Sequence, residues 1–223
     1  MTSAGVDGAD YPIDTRQRLL DVAKVLISQH GFAGTSLQMI ADELGFTKAA
    51  IYYHFRARDQ LLIALMEPLL HQIRHVVETA ESQSTRRTQM NAMVQGFAGV
   101  VAKNRSLAAI MVFDPSVHRV LQSQPEWGDL IARQLMLLMQ LETGNAGIIK
   151  ATAVFTGLAG AATGAPIDID ERSLIEHLSE IGRRILGLRQ PRRRSEAQAN
   201  GDAIARRLPE PAPGRWKDFL AEA

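Results

Sequence analysis

Cysteine is absent from the 223 residues. Disulfide frameworks, Cys-ligated zinc or iron–sulfur centres and thiol nucleophiles are therefore excluded together. Strand signals are nearly absent as well: no period-2 alternation persists, and no Asn-Gly or Asp-Gly pair sits between apolar runs. Residues 1–14 contain Asp7, Asp10 and Asp14, no Lys or Arg and no apolar run, which is not the pattern of a secretory signal. The expectation is a cytoplasmic protein. The nearest approach to a membrane span, 146–164, is interrupted by Lys150 and rich in Ala, Gly and Thr, short of the about 20 strongly apolar residues that a crossing needs. It reads as a buried, closely packed helix, and no membrane partner is expected.

What is present suits a folded chain: 46% hydrophobic and 22% charged residues, enough for one or two domains. The net charge of +1 hides a distribution. Subtracting Asp and Glu from Lys and Arg gives −3 for residues 1–14, +3 for 15–58, −4 for 59–182 and +5 for 183–223. Two basic segments thus flank an acidic middle, and clustered positive charge is what a polyanion attracts.

Apolar residues recur at helical steps in Leu19, Ala23, Leu26 and Ile27, in Leu37, Ile40, Ala41 and Leu44, and in Leu174, Leu178, Ile181 and Ile185. The fold class is all-α. Asp14 is a candidate N-cap for a first helix ending at Gly31. Thr35 or Ser36 caps a second that ends at Gly45, and Thr47 caps a short third reaching His54. A fourth begins near Arg58 or Asp59 and runs into the late 70s past Pro68. Further helices are expected over 86–103, 105–112, 126–141, 145–164 and 170–188, with Pro115, Pro125 and Pro166 in linkers. From Gln190 the composition shifts to Arg, Pro, Ala, Glu and Gln, as in a disordered basic tail. The expected division is an arm (1–14), a DNA-binding domain (15–58), a ligand-binding and dimerisation domain (59–189) and the tail (190–223).

Three helices with a turn at 44–47 match a helix-turn-helix unit, whose recognition helix packs on its partners by one face and meets the DNA major groove by the other. Ile51 and Phe55 stand four apart and can bury. Lys48, Ala49, Ala50, Tyr52, Tyr53 and His54 remain around the helix. The alanines permit close approach to base edges, while Lys48, Tyr52 and His54 offer donors to phosphate oxygens.

The stretch TRQRLLDVAKVLISQHGFAGTSLQMIADELGFTKAAIYYHFRARDQLL closely resembles the DNA-binding domain of TetR-type transcriptional regulators. The resemblance implies an all-helical homodimer whose larger C-terminal domain holds a small-molecule pocket and the dimer interface. It implies phosphate contact for Ser36, base contact for Gln38, capping by Thr47, and base or phosphate contact for Lys48. Ala49 and Ala50 would approach the groove, Tyr52, Tyr53 and His54 would touch backbone and base edges, and Arg58 would replace a phosphate-binding lysine. Ala50 and Ala57 depart from the family's usual polar residues.

Beyond residue 58 the signals thin. Met93, Phe97, Met111, Phe113, His118, Trp127, Met136 and Phe155 could line a pocket, although Met and aromatic residues at helical spacing also build plain core. Ala151, Phe155, Leu158 and Ala162 share one helix face, and Leu174, Leu178, Ile181 and Ile185 another. Either pair of faces could form a dimer interface or complete the monomer core. His71 and His75 stand four apart with no carboxylate cluster to complete a metal site, and Asp114 with His118 lacks a nucleophile motif. The reading is a non-enzymatic, cofactor-free and metal-free homodimeric regulator of near-palindromic double-stranded DNA. It is expected to be a repressor released by a small apolar effector. The rival is an all-α small-molecule binder or enzyme with a non-functional helix-turn-helix.

Overall fold

The computed structural model describes residues 12–188, and side chains from residue 15 onward. Residues 1–11 of the expected N-terminal arm and the whole of the expected tail (190–223) lie outside the described residues. The described chain folds into ten α-helices with no strand among them.

Helix α1 (Pro12–Gly34) starts ahead of the expected cap at Asp14 and carries a break at Gly31, where φ is +70°. Helix α2 (Leu37–Glu43) is capped by Ser36, whose Oγ accepts the Met39 N–H at 3.1 Å. Thr35, the other candidate, is buried and donates its hydroxyl to the Gly31 carbonyl at 2.9 Å. Gly45 adopts φ +66° just beyond α2, the left-handed conformation that lets the chain turn back within three residues. Thr47 then caps α3 (Lys48–His54) by accepting the Ala50 N–H at 3.3 Å. Leu19, Ala23, Ile27, Phe32, Ile40, Ala41, Ile51 and Phe55 close the core of this three-helix unit.

Helix α4 (Arg58–Glu81) runs through Pro68 and packs against α5 (Arg86–Lys103). Their approach is close. A Cβ on Gly96 would lie 2.5 Å from Val76 Cγ1, so any side chain there must displace Val76. The chain bends by 107° between α5 and α6 (Arg105–Phe113). Asp114 then caps an eight-residue α7 (Pro115–Gln122).

The sequence pattern does not announce α7, because Pro115 reads as a linker residue; instead it occupies the first helical turn, where a missing N–H costs nothing. Pro125 likewise opens α8 (Pro125–Leu138). Helices α9 (Gly144–Thr163) and α10 (Glu171–Ile185) complete the bundle. By length and composition α9 could cross a membrane, with mean hydropathy 1.3 over its best window. Here its Ala151, Val154, Leu158, Ala159 and Ala162 are buried, and it packs on α5, α6, α8 and α10.

Candidate nucleic-acid interface

Helix α3 buries a single side chain, Ile51, with Phe55 following at its C-cap. Everything else on it faces outward or lies at the margin. Tyr53 is 85% exposed and Tyr52 43%, while Thr47, Lys48 and Ala49 are exposed and Ala50 and His54 half-buried. Two ring contacts organise this surface: Lys48 Nζ lies 5.7 Å from the Tyr52 ring centre, and the Tyr53 and His54 rings meet edge-on at 5.2 Å. Ser36 and Gln38 are exposed on α2, where the Gln38 amide donates to Asp42 at 2.6 Å. These two, together with the α3 side chains, provide hydroxyl, amide, ammonium and imidazole groups of the kinds that contact phosphates and base edges.

Two basic residues join them that sequence reasoning passes over. Arg16 lies over the Phe55 ring at 5.4 Å and Arg18 over the Phe46 ring at 5.3 Å, both exposed. The aromatic contacts hold guanidinium groups from the start of α1 beside the turn and the end of α3. The available signal is the positive excess of segment 15–58, which does not say where each charge sits.

Arg58 differs from the expectation of a phosphate contact. Its Nη1 donates to the carbonyls of Ala33 at 3.0 Å and Thr35 at 3.1 Å, and its guanidinium stacks over Phe32 at 4.4 Å. The group closes the C-terminal end of α1, whose last carbonyls have no helical partner. Arginine can do this because the two hydrogens of one guanidinium nitrogen serve two carbonyls while the group lies over a ring. Ala57, the N-cap of α4, makes no side-chain cap bond; Gln60 instead accepts the Arg56 N–H at 3.0 Å.

In the C-terminal helices a cavity of about 600 Å³ lies between α4, α7 and α8. Ile63, Leu70, Leu121, Trp127 and Leu130 give it apolar walls, and Arg74, paired with Glu126 at 2.9 Å, a charged one. Of the residues expected to line a pocket, Trp127 borders this cavity. Met93, Phe97 and Met111 are core, with Phe97 packed edge-on against Phe155 at 4.9 Å. Phe113 and His118 are exposed. Met136, also exposed, borders a separate hollow of about 450 Å³ with Arg86, Gln89 and Met139. Residue type marks these side chains as pocket candidates, and burial places Met93, Phe97 and Met111 in the core.

The expected dimer faces are corrected in the same way. Ala151, Leu158, Ala162, Leu174 and Leu178 are buried in this chain's own core, so a partner cannot reach them. Phe155 and Ile185 are half-buried, and Ile181 is exposed. The outward apolar residues of α9 are Ile148 and Ile149, at 46% and 68% exposure.

Asp114 is not part of an acid/base pair with His118. Burial raises the pKa of its carboxyl, but hydrogen bonds from Ser116, Phe32 and Val117 outweigh that and hold it below the usual carboxylate range. All of that hydrogen-bonding capacity serves structure.

Residues 19–65 match the family described as bacterial regulatory proteins, tetR family. Over 54 residues the chain is 46% identical to the HTH-type transcriptional regulator AcrR of Shigella flexneri, a stretch covering 24% of this chain and 25% of that protein. Over 63 residues it is 38% identical to a probable acrEF/envCD operon repressor of Escherichia coli K12, covering 27% and 29%. These matches span under a third of either relative. A TetR-like transcriptional regulator from Rhodococcus sp. RHA1 has the same fold, with a TM-score of 0.59 at 23% identity over 81% of this chain and all of the other.

Proposed function

We propose that this chain, whose residues 19–65 match the tetR family of bacterial regulatory proteins, is a homodimeric repressor that a small apolar molecule releases from its operator. The observation that carries the reading is α3: capped by Thr47 and anchored by Ile51 alone, it leaves Lys48, Tyr52 and Tyr53 exposed together. Such a helix has no second apolar face to bury, so its aromatic and basic side chains are free for a partner with phosphates and base edges. In a dimer, two such helices about 34 to 36 Å apart would enter successive major grooves of a near-palindromic site.

The dimer partner would meet the outward faces of α9 and α10, at Ile148, Ile149 and Ile181. The effector would occupy the cavity between α4, α7 and α8, whose volume suits a drug-sized molecule. It acts as an effector only insofar as it favours one spacing of the recognition helices over the other. On this reading the protein works in the cytoplasm, where its DNA is, and its repressor role follows the similarity to the operon repressor. The test is selection of binding sites from random duplex DNA by the full-length protein. Recovery of a two-half-site sequence supports the reading, and enrichment of none contradicts it.

A further inference from the structure

Gly31, at φ +70° and ψ 165°, interrupts α1, so the N–H of Phe32 is presented sideways to a neighbouring helix. That N–H donates to Asp114 Oδ2 at 2.8 Å across 82 positions of sequence. The other carboxylate oxygen, Oδ1, accepts the Ser116 N–H at 2.9 Å and the Val117 N–H at 3.4 Å, and so caps α7. One side chain therefore joins the last turn of α1 to the first turn of α7. The bonds on both oxygens are charge-assisted and correspondingly strong.

The turn 31–35 has a second attachment. Arg58, the first residue of α4, holds the carbonyls of Ala33 and Thr35 and stacks on Phe32. Helices α4 and α7 also both line the cavity, α4 through Ile63, Leu70 and Arg74 and α7 through Leu121. A ligand that spreads these walls therefore acts on both attachments of one short turn. Asp114 and Leu121 stand at opposite ends of a single eight-residue helix, about 12 Å long and stiff along its axis. Movement at Leu121 reaches Asp114 with little slack.

We infer that Asp114 is the positioning residue through which the cavity-bearing helices set the orientation of the DNA-binding unit. It touches no DNA; it fixes where α1, and with it α3, stands. The inference rests on the dimeric-regulator reading above, because orientation matters only where two recognition helices must match a fixed spacing. With the Phe32 bond broken, each recognition helix samples more orientations. Binding to the correctly spaced site then weakens, and binding to a mis-spaced site weakens less.

The test uses full-length protein with Asp114→Asn and Asp114→Ser. Asparagine keeps one acceptor for the α7 cap but turns an N–H donor toward Phe32; serine can cap α7 but is too short to reach Phe32. Hydrogen exchange should speed up at Phe32 and across 31–35, with residues 115–122 still protected. On a duplex selected from random DNA by the wild type, and the same duplex with one base pair added between its half-sites, the wild type should discriminate strongly. Both variants should narrow that discrimination by roughly tenfold, the scale of one charge-assisted hydrogen bond. Ser116→Ala, which leaves the Phe32 bond in place, should not. Unchanged exchange at Phe32, or unchanged discrimination, overturns the inference. If the wild type itself ignores spacing, the dimeric reading fails instead, and the exchange experiment still decides whether Asp114 holds the turn.

Discussion

The guanidinium of Arg58 lies 4.4 Å from the centre of the Phe32 ring while its Nη1 serves the carbonyls of Ala33 and Thr35. Arg58→Ala removes both hydrogen bonds and the stacking, leaving two carbonyls at the end of α1 to water. The expected cost is about 1.5–3 kcal/mol of stability, the range for hydrogen bonds to a charged group. Arg58→Lys should recover part of it, since an ammonium keeps the charge but loses the planar stacking. Urea denaturation of the two variants checks the ordering.

Gly96 faces Val76 so closely that an added Cβ would stand 2.5 Å from Val76 Cγ1. Gly96→Ala should lower stability by about 1–3 kcal/mol through overpacking, although alanine is the better helix former. A thermal melt at or above that of the wild type would contradict the packing of α4 on α5.

Glu81 and Arg133 form a two-pronged pair, Nε to Oε1 at 2.9 Å and Nη2 to Oε2 at 2.6 Å, that fastens the end of α4 to α8. The Arg133 hydrogen bond holds the Glu81 carboxyl below its ordinary value of 4.5, against the opposing pull of burial. Because the folded pKa is depressed, the pair's stabilisation is complete above about pH 4.5 and is lost as pH falls through the lowered folded value. Both side chains are partly exposed, so the contribution is about 0.2–1 kcal/mol. Glu81→Gln should destabilise the protein at neutral pH and flatten its stability profile in acid; parallel profiles for variant and wild type would show the pair to be idle.

Ile149 is 68% exposed on α9, two positions before Ala151, which is sent into the core. Ile149→Glu should convert a dimer to monomers in sedimentation without altering the helical circular dichroism of the fold. Leu158→Glu, at a fully buried position, should instead unfold the chain. A dimer that tolerates Ile149→Glu would place the interface elsewhere.

The helix-turn-helix unit is the most legible part of the sequence, since its instructions are local. Ser36 and Thr47 stand where caps must stand, Gly45 where the chain must turn, and Ile51 and Phe55 at the spacing that buries one face. Helix α7 is illegible because Pro115 carries two meanings, linker and first helical turn, which only the Asp114 cap separates. The cavity and the outward face of α9 are hidden for another reason. In a bundle, an apolar residue such as Met93 or Leu158 packs inward against one neighbour or another, and periodicity gives the face but not the neighbour. Resemblance assigns Arg58 to phosphate, whereas the carbonyls it holds belong to residues more than twenty positions earlier.

Whether α3 reads DNA is decided by titrating wild-type protein and the Lys48→Ala and Tyr52→Ala variants against a duplex selected by the wild type, over a series of salt concentrations. The wild type should show steep salt dependence, and Lys48→Ala a slope smaller by about 0.9 for each phosphate that it leaves unneutralised. Tyr52→Ala should no longer prefer the selected duplex over a scrambled one, with all three proteins equally folded. Binding that keeps its slope and its sequence preference in both variants would contradict DNA reading by α3.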